Sequence, residues 1–116
     1  MSKLYFIVNT NAKTGNANQV WRQVHDFLRQ KHIPYEAYET KYVGHATVLA
    51  RELSKKREKA VYLIAVGGDG TVNEVLNGIT DFEKVRLGVI ASGSGNDFGK
   101  GMGIPTDPIV CMRQIL

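Results

Sequence analysis

Apolar residues along this chain form short continuous runs that alternate with longer stretches where they recur every three or four positions. Leu4-Tyr5-Phe6-Ile7-Val8 is a β-rich run closed by Asn9, the pattern of a strand buried on both faces of a parallel sheet. After a polar loop through Gly15 and Asn16, residues Val20, Trp21, Val24, Phe27 and Leu28 keep the spacing of one helical face, and the helix should end near residues 32–34. A strand at 35–39 leads to Thr40, and Ala46, Leu49, Ala50 and Leu53 then mark a second helix. Val61-Tyr62-Leu63-Ile64-Ala65-Val66 is the strongest strand signal, running directly into Gly67-Gly68-Asp69-Gly70. A helix with the stripe Val72, Val75, Leu76 and Ile79 follows, then a fourth strand at 86–91 and a second glycine-rich turn at 92–95. Such alternation predicts an α/β fold with a doubly wound, mostly parallel, Rossmann-like sheet. The segment 109–116 is apolar on one side and lacks a polar cap or glycine, so it is expected to continue into further chain.

Composition narrows the class. The 116 residues suit one domain with its own core, and 43% hydrophobic with 22% charged residues is close to globular averages. Cys111 is the only cysteine, which excludes an internal disulfide and fits a reducing, cytoplasmic setting. The apolar run at 4–8 is too short for a signal-peptide core or a membrane span. Arg51, Lys55, Lys56, Arg57 and Lys59 supply much of the net charge of +4. At the end of a helix they are best read as solvated cations that complement its dipole, and nucleic acid is not expected as a partner.

Ligands of open parallel sheets bind beyond the carboxyl ends of the strands. Three such ends carry polar or glycine-rich loops here, at 9–15, 67–71 and 92–96, and they are expected to converge on one crevice. Glycines there would let backbone N–H groups reach phosphate oxygens, with a helix amino terminus adding partial positive charge. The plainer alternative is that Gly67, Gly68 and Gly70 only make a tight strand-to-helix turn. A Walker A loop is excluded, because Gly101 follows Gly99-Lys100 and Ser94 stands where its first glycine belongs. The dinucleotide fingerprint fails too, at Asn73 and at Phe98. His25, His32 and His45 lack metal-ligand spacing, and the first two are expected on helix surfaces. Asp69 could hold a phosphate-bound magnesium ion through water or cap the following helix.

Gly67-Gly68-Asp69-Gly70-Thr71-Val72-Asn73-Glu74-Val75, with Ser92-Gly93-Ser94-Gly95-Asn96-Asp97-Phe98 after a strand, resembles the catalytic domain of diacylglycerol, sphingosine and related bacterial lipid kinases. The loop Gly67-Gly68-Asp69-Gly70-Thr71 is also similar to one in NAD kinases and phosphofructokinases, whose amino-terminal domains share this fold, but Asn73-Glu74 next to it and the second stretch point to the lipid kinases. Thr40 with Gly44-His45-Ala46 adds to the likeness, which spans essentially the whole chain. The resemblance implies ATP-dependent phosphoryl transfer to a lipid hydroxyl. The nucleotide would lie between this domain, residues 1–116, and a following β-rich domain carrying the catalytic base and the magnesium carboxylates.

By that resemblance Asn9 and Lys13 would contact the nucleotide phosphates, and Thr40 would hydrogen-bond near the nucleotide. Gly67, Gly68, Asp69, Gly70 and Thr71 would wrap the phosphates, while Asn73, Glu74, Ser94 and Asn96 would complete the pocket. The first loop departs from the family pattern, with Thr10 in place of proline and Lys13 in place of glycine. Ser92 replaces a frequent proline, and Ser94 keeps the hydroxyl of a frequent threonine. ATP and Mg2+ are the implied cofactors, and the 116 residues alone are expected to bind nucleotide without turnover. Peripheral contact with the inner membrane face and homo-oligomer formation stay open. So does the acceptor, whether diacylglycerol, a sphingoid base, phosphatidylglycerol or an isoprenoid alcohol. Two other readings stand beside this one: a small-molecule kinase of the NAD kinase type, and a non-enzymatic nucleotide-binding or assembly module using 109–116 for association.

Overall fold

The computed structural model describes residues 3–9, 16–55 and 61–91. Their elements run β1 (Leu4–Val8), α1 (Asn16–Gln30), β2 (Tyr35–Glu39), α2 (His45–Ser54), β3 (Val61–Gly67), α3 (Asp69–Gly78) and β4 (Val85–Ala91). The four strands form one sheet in the order β2-β1-β3-β4, every pair parallel. This is the expected α/β alternation, and the strand at 35–39 matches residue for residue. The turn at 92–95, the segment 109–116, Cys111 and the cations Lys56, Arg57 and Lys59 lie outside the described residues.

The period-two pleat of β1 explains why its run is apolar throughout. Leu4, Phe6 and Val8 face one way and pack with Val24 and Leu28 of α1, Ile33, Ile64, Val66 and Ile90. Tyr5 and Ile7 face the other way, among Ala46, Ala50 and Leu53 of α2 and Val72 and Val75 of α3. One helix therefore covers one face and two helices the other. Full burial of side chains such as Val24, Leu28, Val72 and Val75 stabilises the sandwich by about 1.5–3 kcal/mol for each large one.

The end of α1 is set locally. His32 N–H donates to the Arg29 carbonyl at 3.2 Å and Ile33 N–H to the Leu28 carbonyl at 3.0 Å, the pair of bonds that closes a helix in a left-handed turn. His32 holds that turn with φ 54°. It is exposed and lies past the helix, not on its surface as its spacing suggested. His25 is on α1 but half-buried, its ring 6.0 Å from Trp21 and 5.8 Å from Tyr35.

On the opposite face α2 and α3 approach closely because α3 ends in Gly78. A Cβ there would run into the Thr47 carbonyl oxygen and lie 2.8 Å from the Ala50 Cβ. Thr47 Oγ1 donates to the Glu74 carbonyl at 2.7 Å, fixing the register of the two helices. Gly78→Ala should therefore lower unfolding free energy by about 1–3 kcal/mol, as for overpacked sites generally, and urea denaturation monitored by far-UV dichroism measures it.

Candidate functional site at the carboxyl ends of the strands

The connection β1-α1-β2 steps one way across the sheet, and the next two connections step the other way. Right-handed crossovers then put α1 on one face and α2 and α3 on the opposite face, as observed. The reversal falls between β1 and β3, and among the described residues a crevice opens at their carboxyl ends. Asn9 stands at the end of β1, its N–H donating to the Val66 carbonyl at 3.0 Å, and Thr40 at the end of β2, its N–H donating to the Val8 carbonyl at 2.9 Å.

A cleft of about 240 Å³ occupies this position, lined by Asn9, Thr40, Tyr42, Val43, Ala46, Thr71 and Glu74. Its floor is polar. Asn9 Nδ2 donates to Thr71 Oγ1 at 3.0 Å, joining two residues 62 positions apart across the β1–β3 boundary. Thr71 is 4% exposed, and since its oxygen accepts from Asn9, its own hydroxyl proton must point away from that amide. Gly67 makes the approach of Thr71 feasible, because a Cβ on Gly67 would lie 2.6 Å from Thr71 Oγ1 and 2.8 Å from its Cβ.

The amino end of α3 borders the same cleft. Its cap is Gly68, which has no side chain to offer, and the first helical bond is Val72 N–H to the Gly68 carbonyl at 3.2 Å. The N–H groups of Asp69, Gly70 and Thr71 thus have no acceptor within the helix and carry its positive end. Asp69 is the first helical residue, exposed, and complements that end without capping it. A Cβ on Gly70 would meet nothing within 4 Å, so packing within the described residues does not demand glycine there.

The rim opposite is apolar. Tyr42 is 59% exposed and Val43 95%, and Tyr42 stacks on His45 with ring centroids 4.4 Å apart and planes 16° off parallel. These two lining residues escaped the sequence reading. The available signal was a pair of large apolar residues in a glycine-containing loop just ahead of a helix. Asn73 is exposed, one turn beyond Asp69 on the outer side of α3, and does not line the cleft. Lys13, Ser94 and Asn96 lie outside the described residues. Ala91, at the end of β4, pairs with Gly67.

A second groove, about 320 Å³, lies on the α1 face between Trp21, His25, Tyr35 and Glu39. It is larger, and among the described residues its lining carries one carboxylate, Glu39, and rings that pack on one another. The cleft between β1 and β3 has the chemistry of an anion site. Among the described residues no three of His, Cys, Asp and Glu come together as a metal-binding set.

The diacylglycerol kinase catalytic domain, as a sequence family, matches residues 3–116. The chain belongs to that family. It is 38% identical over 105 residues to YtlR of Bacillus subtilis (strain 168), a protein that carries the name of a lipid kinase, across 90% of this chain. It is 42% identical over 107 residues to a diacylglycerol kinase of Staphylococcus aureus (strain MRSA252), across 89% of this chain. It also superposes on the crystal structure of a diacylglycerol kinase from Bacillus anthracis str. Sterne with a TM-score of 0.70 and 26% identity, covering 96% of this chain and 39% of that one. The chain spans 34% and 33% of the two curated relatives, about a third of their length.

The Gly67–Thr71 approach is the most exacting contact of the site. Gly67→Ala is expected to destabilise the fold by about 1–3 kcal/mol, and more than Gly70→Ala, which adds a methyl group to open space. Chemical denaturation of the two variants side by side tests this order.

Proposed function

We propose that this member of the diacylglycerol kinase family is the nucleotide-binding part of a lipid kinase, with the phosphates of ATP seated at the amino end of α3. The observation that carries the reading is the meeting of Asn9, Thr40 and Thr71 with that helix end, at the point where the sheet reverses. Free helical N–H groups, a hydroxyl and glycines that admit close backbone approach are the groups that hold phosphate oxygens. The apolar rim of Tyr42, Val43 and Ala46 suits the base and sugar.

The described residues fit a polyphosphate better than a free metal ion, since Asp69 is the one carboxylate at the helix end. A magnesium ion would be held chiefly by the phosphates, with Asp69 as its protein neighbour. Phosphoryl transfer to a lipid hydroxyl requires a positioned base and further metal carboxylates. Because the relatives are three times as long, we place those groups in the rest of a longer protein and expect residues 1–116 alone to bind ATP without turnover. The same coverage leaves the acceptor lipid, the peripheral membrane contact and the homo-oligomer as proposals for the longer protein. No described helix is long and apolar enough to cross a membrane.

Titration calorimetry with ATP tests the reading, with and without magnesium and with NAD in parallel. Asp69→Ala should weaken magnesium-ATP binding by about tenfold, the scale of one charge-assisted contact, while ATP without magnesium binds the variant as well or better, because a like charge has been removed. Binding of NAD in preference to ATP, or no binding of either, would count against the proposal.

A further inference from the structure

The resemblance assigns Glu74 to the nucleotide pocket, but its geometry gives the carboxylate another task. Glu74 Oε1 accepts the Gly44 N–H at 3.0 Å, across 30 residues of sequence. Gly44 caps α2 in left-handed backbone, φ 92°, and a Cβ there would meet nothing within 4 Å. Its glycine is thus required by conformation and not by space. The left-handed turn aims this N–H across at α3.

Apart from the Thr40 N–H to Val8 carbonyl bond, the loop that ends in Gly44 is held by local contacts. His45 N–H donates to the Tyr42 carbonyl at 3.1 Å, Lys41 N–H donates to His45 Nδ1 at 2.9 Å, and the Tyr42 and His45 rings stack. It is a compact unit that carries the apolar rim of the cleft, with Val43 projecting into solvent. The Glu74 carboxylate holds that unit to α3, the helix whose amino end forms the phosphate side. The other bond at this residue, Thr47 Oγ1 to the Glu74 carbonyl, uses backbone and survives any change of side chain.

We propose that Glu74, although it lines the cleft, is a positioning residue: its carboxylate latches the loop 40–44 through the Gly44 N–H and so sets the width of the cleft. The functional half of this inference rests on the nucleotide reading above. The latch itself does not.

Three variants separate the roles. Glu74→Ala removes the acceptor, Glu74→Gln keeps an oxygen acceptor but loses the charge, and Gly44→Ala strains the left-handed turn. Amide hydrogen exchange at Gly44 reads the latch with no ligand present, and calorimetry with magnesium-ATP reads its consequence. Exchange at Gly44 should accelerate by about tenfold in Glu74→Ala, with affinity falling by a similar factor, while Glu74→Gln recovers most of both. Gly44→Ala should weaken ATP binding in the same direction as Glu74→Ala. Unchanged exchange at Gly44 in Glu74→Ala overturns the latch. Affinity as poor in Glu74→Gln as in Glu74→Ala, with Gly44 still protected, overturns positioning in favour of direct use of the charge. Faster exchange without loss of affinity overturns the link to the nucleotide. If the unsubstituted protein binds no ATP, the nucleotide reading falls, and with it the functional half of this proposal, while exchange still decides the latch.

Discussion

The reversal of winding direction at β1 is the constraint on which the rest of the structure depends. A right-handed crossover must put its helix on the face dictated by the direction of the step. One step toward β2 and two steps away from it therefore cover the sheet on both faces and leave β1 and β3 side by side with their carboxyl ends at the crevice. Burial on both faces explains why β1 and β3 are apolar along their length. The position of those ends at the crevice fits the change from apolar to polar residues at Asn9 and at Asp69. Core and cleft are two consequences of one topology.

Small residues act where backbone must come close. Gly67 lets Thr71 sit against the strand end, Gly78 lets α3 lie against α2, and Gly70 leaves the face of the helix end clear. The first two are explained by atoms of the chain itself. The third meets no atom of the described residues, which leaves room there for the proposed phosphates. The Asn9–Thr71 bond ties the end of β1 to α3, and the Glu74–Gly44 bond ties α3 to the start of α2. Two side-chain bonds thus bracket the crevice, each spanning elements far apart in sequence.

Much of the fold was legible in the sequence because its signals are periodic. The helical spacing of Val20, Trp21, Val24, Phe27 and Leu28 and the apolar run at 61–66 report burial directly, and burial is what the sheet and helices impose. His32 was misread because a left-handed closing residue is usually glycine, and histidine carries no such mark. At the site, the glycine-rich loop and Asn9 were visible as residue types at strand ends. Tyr42 and Val43 were not, since nothing in a short loop's composition tells which side chains its backbone turns toward a cleft. The partner of Glu74 was also hidden: a carboxylate beside asparagine on a helix reads as a ligand-binding group until the Gly44 N–H is found opposite it.

Phosphates of ATP seated where α3 begins would perturb the backbone amides there. Amide chemical-shift mapping during titration of the protein with magnesium-ATP reads this residue by residue. The largest changes are expected at the amides of Gly68, Asp69, Gly70 and Thr71 and at Asn9, with Phe82, Glu83 and Lys84 at the other end of the sheet unmoved. Changes centred on Trp21, His25 and Tyr35 in the groove beside α1, or none at the start of α3, would contradict that seating.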